Sequence, residues 1–222
     1  TTLHSPVGGE TETLQIDLEH FQCISLVESA LAVAQCAFAK QTHSACFVEE
    51  LTRIRYRHGE ITDFSSRLHY FVDWLDENQH QARLADLTKA LGGKPLKQPF
   101  FYMTRHLRKY PSLAEPKVFA SIAEIEQRLS QAPSWFIPAS AVASIQPKLQ
   151  NGDIVAIVTN SKPGLMVSHT GVLSRDQDSI RLLHASSHHQ RVVMTRTDLA
   201  NYVERRPERI GILVARPRAL GK

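Results

Sequence analysis

Residues 23–38 read CISLVESALAVAQCAF. The stretch holds no Gly or Pro, is rich in Ala and Leu, and is longer than an ordinary strand. Those properties favour a buried helix. Around it the pattern is helical. Phe47–Arg57, Leu68–Asn78, Gln81–Leu91, Phe100–Lys109 and Val118–Gln131 all read as helices, punctuated by Gly92-Gly93, Pro95, Pro111 and Pro116. After Pro138 the period changes. Asp153–Thr159 (DIVAIVT), Val167–Leu173, Ile180–Ala185, Arg191–Met194 and Ile210–Ala215 are short β-branched or alternating runs. Turns such as Arg175-Asp176-Gln177-Asp178 separate them and predict an antiparallel meander. Residues 1–20 read as an extended arm, with a strand around Leu14–Leu18. Helices first and strands later predict an α+β fold rather than an alternating α/β one.

Composition narrows the class. The 222 residues are 42% hydrophobic and 22% charged, with Lys+Arg 26 against Asp+Glu 22, a formal charge of +4. This excludes a disordered chain. No run of ~18 apolar residues is present, so no membrane span is expected. The densest basic run, Arg205, Arg206 and Arg209, lacks interleaved aromatics. It reads as a solvated face, and no nucleic-acid partner is expected. Three cysteines are too few for a disulfide scaffold, and their odd number leaves at least one thiol unpaired in a monomer. The chain begins at Thr1, which reads as a processed product from which any signal peptide has been removed.

Cys23 opens the most apolar helix. A helix N-terminus carries roughly half a positive charge and favours thiolate, the nucleophilic form. The plain alternative is a buried small hydrophobe. Cys36, inside the helix, and Cys46, in a polar turn, fit that alternative better; they either pair or stay reduced. A thiol nucleophile needs an imidazole and a group to orient it. Among eleven histidines, His169 interrupts a strand in VSHTGVL, and His184 closes the next strand in LLHASS. Small neighbours and Gly171 leave room beside His169. Adjacent antiparallel strands can set both rings on one face. A metal site at His184, His188 and His189 has no supporting ligand spacing, and a serine hydrolase would need Gly-x-Ser-x-Gly.

The order of these motifs resembles the bacterial papain-like cell-wall hydrolases of the NlpC superfamily, and within it the N-acetylmuramoyl-L-alanine amidase-like family. The resemblance rests on QCISLVESALAVA (22–34), YRHGEITDFSSRLHYFVDWLDEN (56–78), WFIP (135–138), NGDIVAIVT (151–159), VSHTGVL (167–173) and LLHASS (182–187). It implies Cys23 as nucleophile, His169 as base and His184 as its orienter. It implies cleavage of the amide between N-acetylmuramic acid and L-Ala of peptidoglycan fragments, in a periplasmic or extracellular setting, with no metal or organic cofactor. A γ-D-glutamyl endopeptidase on the same scaffold, or a non-catalytic glycan-binding homologue, are the alternatives. One departure stands out: the superfamily commonly has Asp before the cysteine, and here it is Gln22.

The implied organisation is one papain-like domain over 1–222, with an arm (1–20), a mostly helical lobe (21–138) and a β-rich lobe (139–222). In the predicted helix 68–78, Leu68, Phe71, Val72 and Leu75 form one apolar face, and Arg67, Tyr70 and Trp74 an adjacent stripe. Ordinary amphipathicity explains that stripe by itself. Under the resemblance, Arg67, Tyr70, Trp74 and the small Ser168 beside His169 are expected to bind substrate. Oligomeric state is left open.

Overall fold

The fold comes from a computed structural model that describes residues 12–177 and 179–219. The helices are α1 (Cys23–Phe38), α2 (Ser44–Arg55), α3 (Phe71–His80), α4 (Tyr102–Arg105), α5 (Pro116–Gln131), α6 (Val142–Ile145) and α7 (Leu199–Glu204). The strands are β1 (Leu84–Asp86), β2 (Lys94–Leu96), β3 (Ser134–Pro138), β4 (Ile154–Thr159), β5 (Val167–Asp176), β6 (Ser179–Ser186), β7 (Arg191–Met194) and β8 (Arg209–Pro217). All described pairings are antiparallel, in the order β2-β3-β8-β4-β5-β6-β7, with β1 also on β8. The expected meander is β4 to β7, and β8 returns to the free side of β4.

β4 explains the layering. Its six residues are all buried. Ile154, Ala156 and Val158 join one core, with Val27 and Leu31 of α1, Leu51 and Ile54 of α2, and Trp74 of α3. Val155 and Ile157 join a second core, with Val142 of α6 and Leu199 and Val203 of α7. A strand covered on both faces reads as a continuous apolar run, as DIVAIVT does. So helices cover both faces of the sheet, and the N-terminal half contributes β1, β2 and β3. The α+β reading is correct, but its division into a helical lobe and a strand lobe is coarser than the fold.

Four local expectations fail, each for a visible reason. Residues 14–18 form no strand, because the segment bonds to α2 side chains: Arg55 Nη1 donates to the Gln15 carbonyl (2.5 Å). Tyr56 Oη likewise donates to Glu12 (2.8 Å). The helix expected at 81–91 is absent, because Ala82 turns the chain at φ +58° and Leu84–Asp86 pair with β8. The helix expected at 100–109 lasts one turn. The Glu126 carboxylate takes the N–H groups of Met103 (2.9 Å) and Thr104 (3.2 Å), tying α4 to α5. The helix expected from Leu68 starts at Phe71, because the Leu68 N–H donates to the Arg55 carbonyl (3.0 Å) and Arg67 bridges Tyr56. Residues 1–11 of the arm, and Asp178 of the β5–β6 turn, lie outside the described residues.

The cysteine helix is held from both ends. Cys36 of α1 and Cys46 of α2 form a disulfide, so Cys46 sits in a helix rather than in a polar turn. Midway, Arg55 Nε donates to Glu28 Oε2 (2.8 Å), with both side chains under 5% exposed. At the N-terminus, the Ser25 hydroxyl accepts the Gln22 N–H (2.9 Å).

Candidate active site

Cys23 is the first residue of α1, partly exposed, and the free cysteine of the chain. α1 packs across β5 and β6, which carry His169 and His184. In the β5–β6 ladder Val172 faces Leu183, so one step further brings His184 level with Gly171. Gly171 has no side chain to occupy the space, and a Cβ there would stand 2.5 Å from the Leu183 carbonyl oxygen. His184 reaches diagonally over this gap, and its Nδ1 lies 2.8 Å from His169 Nε2. The rings meet edge to face, 4.8 Å between centroids. On β4, Ile157 is level with His169, and the register shifts at the next residue.

A cleft of about 340 Å³ is lined by Cys23, Ser168 and His169 together, with Gln22 on the α1 side and Ser186, Gln190 and Arg191 around the β6–β7 turn. Among the described residues its one carboxylate is Glu19. Burial lowers the pKa of His169 to about 4, helped by His184 and Arg209. Burial, then Arg209, also lowers that of His184, against a backbone hydrogen bond at Ala185. Both rings are therefore neutral at neutral pH. Behind His184 stands Tyr202 of α7, ring centroids 5.6 Å apart. The Arg209 guanidinium covers Tyr202 at 4.1 Å from the ring centroid and donates to its carbonyl (2.5 Å). Arg209 thus belongs to a packed stack and not to a solvated face.

Of the expected substrate-binding residues, Ser168 lines this cleft, whereas Arg67, Tyr70 and Trp74 do not. Trp74 is fully buried and packs on Phe71 at 5.2 Å. Tyr70 is 3% exposed, and its hydroxyl donates to Glu126 Oε1 (2.5 Å). Arg67 lies in the bridge to Tyr56. The three do not share a helix face, because α3 begins after two of them. The aromatic residues with helix-like spacing serve the core. Asp73 is an internal ion-pair partner, to Arg57 (2.7 Å) and Arg128 (2.5 Å). Sequence reading missed Tyr202, Gln190 and Arg191. Nothing local marks them, since their role arises from the fold.

A family model described as N-acetylmuramoyl-L-alanine amidase-like (AmiA-like) matches residues 2–212. No curated protein matches the chain. A crystal structure of an N-acetylmuramoyl-L-alanine amidase from Bacteroides uniformis is 32% identical, with TM-score 0.88, covering 97% of this chain and 91% of that one. A Bacteroides fragilis protein, provisionally described as a xylanase, is 36% identical, with TM-score 0.86, covering 93% and 91%. A Legionella pneumophila protein at 19% identity and TM-score 0.63, covering 89% and 75%, shares the fold. The chain belongs to the N-acetylmuramoyl-L-alanine amidase-like family and is a hydrolase.

Proposed function

We propose that this enzyme is a cysteine-dependent cell-wall amidase with a papain-like arrangement of Cys23, His169 and His184, as in the NlpC superfamily. One observation carries the reading: the free thiol at the start of α1 shares a cleft with an imidazole whose second nitrogen is already bonded to another imidazole. With Nε2 engaged by His184, Nδ1 is the nitrogen of His169 left to face the thiol. For Nδ1 to act as base, the ring proton must sit on Nε2 and be accepted by His184 Nδ1, which fixes the tautomers of both rings.

The steps follow from that assignment. His169 Nδ1 takes the thiol proton as Cys23 Sγ attacks the lactyl carbonyl of N-acetylmuramic acid. Positive potential at the α1 N-terminus stabilises the oxyanion. The C–N bond breaks, and the L-Ala nitrogen leaves with the proton from His169. Water, deprotonated by His169, then hydrolyses the thioester and restores the thiol. His184 holds the ring plane throughout. A glycosidase reading, suggested by the xylanase description, needs two carboxylates flanking the bond; among the described residues Glu19 is the one carboxylate lining this cleft. The Cys36–Cys46 disulfide fits an oxidising, cell-envelope location for the enzyme.

Digestion of defined muropeptides, with products weighed by mass spectrometry, tests the reaction and the bond together. Free stem peptide beginning at L-Ala is expected. L-Ala left on the sugar would refute the bond choice in favour of an endopeptidase. Loss of activity to iodoacetamide and in Cys23→Ala, with none to chelators, is expected for the thiol mechanism. Undiminished hydrolysis by Cys23→Ala would overturn it.

A further inference from the structure

A second groove, of about 820 Å³, adjoins the cleft: His184 lines it, and Ser186 and Arg191 line both. Its charged walls are Arg191, Arg196, Arg205, Arg206 and Arg209 against Glu208. Five guanidinium groups and one carboxylate give a local excess of 5 − 1 = +4, equal to the formal charge of the whole chain. Little of it is neutralised. Arg206 and Glu208 stand 3.9 Å apart, both well exposed. Arg209 is committed to Tyr202. Among the described residues, Arg191, Arg196 and Arg205 have no ion-pair partner. Like charges collected in one concavity repel each other and focus a positive potential on its mouth.

A second feature points to the shape of the ligand. Among the described residues β7 is the end strand of the sheet, with no strand paired to its outer edge, and an added strand can pair there. Arg191 and Val192 of β7 line the Cys23 cleft, and Arg191, Val193 and Met194 line the arginine groove. An extended chain laid along β7 therefore runs from one cavity to the other. At ~3.3 Å per residue, β7 spans about four residues of such a chain.

We propose that the groove receives the stem peptide of the substrate, extended along β7, with its carboxylates on the free arginines while the bond to be cut lies at Cys23. The inference rests on the amidase reading. Forked guanidinium–carboxylate bonds provide recognition at a distance from the reacting atoms. A phosphate polymer would also satisfy the charge, but it would not connect the groove to Cys23 through Arg191 and Ser186.

The test compares kcat/KM on a muropeptide with free stem carboxylates and on the same muropeptide with those carboxylates amidated. The enzymes are the wild type and Arg196→Gln/Arg205→Gln, both exposed positions. Wild type is expected to prefer the free carboxylates by about tenfold, mostly in KM, and the variant to discriminate by less than about twofold. No preference in wild type, or an undiminished preference in the variant, overturns the proposal. If wild type cuts no muropeptide at the lactyl–L-Ala amide, the amidase reading fails instead. The groove is then tested by calorimetry of free stem peptide on Cys23→Ala. Salt-sensitive binding that Arg196→Gln/Arg205→Gln weakens about tenfold sustains the groove. No binding, or tighter binding of inorganic polyphosphate than of the peptide, overturns it.

Discussion

Replacing His184 by Ala removes the acceptor for His169 Nε2, now 2.8 Å away. The His169 ring is part-buried, and the residue level with it on β4 is Ile157, which has no side-chain acceptor to replace His184. A hydrogen bond of this kind contributes roughly 1–3 kcal/mol when its loss leaves a buried donor unpaired. That energy now selects the Nε2–H tautomer. Without it, the ring is free to carry its proton on Nδ1, where it cannot act as a base. At ~1.36 kcal/mol per factor of ten, 1–3 kcal/mol shifts the tautomer ratio about 5- to 160-fold against the competent form, which is the upper bound on the fall in its fraction. The expected result is a fall in kcat up to that bound, and the tautomer effect is read in kcat because His184 also lines the groove proposed for the stem peptide. His184→Asn separates orientation from bulk, since a carboxamide oxygen accepts the same hydrogen bond and recovers most of kcat. Single-turnover hydrolysis of a defined muropeptide measures the chemical step directly, and urea unfolding checks that each variant is folded. Equal kcat in His184→Ala and wild type would refute the tautomer argument, as would His184→Asn no better than His184→Ala in a folded protein.

Three other outcomes follow from named contacts. The pKa of about 4 at His169 puts the acid limb of kcat/KM well below the 6.5 of free imidazole. Arg209→Gln removes a positive charge that opposes protonation, so that limb moves up, read from a pH–rate profile. The same depressed pKa makes neutral His169 a stabilising feature above pH ~6.5. Its contribution is lost as pH falls from there towards 4, because the unfolded chain takes up the proton first; buried His69, held to about 3, adds to this. Urea midpoints from pH 7 to 4 should fall accordingly. Opening the Cys36–Cys46 link, which closes a 10-residue separation, as Cys36→Ala/Cys46→Ala costs about 2–3 kcal/mol in denaturant unfolding. Gly171→Ala places a Cβ 2.5 Å from the Leu183 carbonyl. The strands must part, at a cost of about 1–3 kcal/mol. Melting temperature and kcat then fall together, since the same two strands carry both histidines.

What the sequence displayed were features with a local cause. The α1 helix, the five C-terminal strands and the Cys–His–His order all show in runs of a few residues. β1, β2 and β3 escaped because they are three to five residues long and are defined by their partners: β1 exists because β8 offers it an edge. Glu126 shortened α4 from 22 and 23 residues away in sequence. The same blindness misplaced Tyr70 and Trp74. An aromatic at helical spacing signals a face, and only the tertiary fold says whether that face meets substrate or core. In the cleft, Cys23 and His169, the proposed nucleophile and base, stood out by residue type and position, and the fold brings them together. Their surroundings (Tyr202, Arg209, Gln190) come from α7, β8 and a turn that no short motif joins to the histidines.

The surroundings also account for a neutral third residue. A carboxylate at position 184 would face the Arg209 guanidinium, whose charge already acts on His184 and His169. It would be drawn into an ion pair with Arg209, and its hold on His169 Nε2 would weaken. A neutral imidazole has no net charge to be captured. It presents a single lone pair in the ring plane at Nδ1, and Tyr202 packs against it. The exchange has a cost, because a neutral acceptor stabilises the imidazolium formed at His169 less than a carboxylate does. In the proposed mechanism Arg209 also opposes that charge, so the imidazolium at His169 is disfavoured. Anionic groups of a substrate held in the proposed groove would offset the nearby arginines, so under that proposal the positive groove and the neutral His184 answer the same electrostatic constraint.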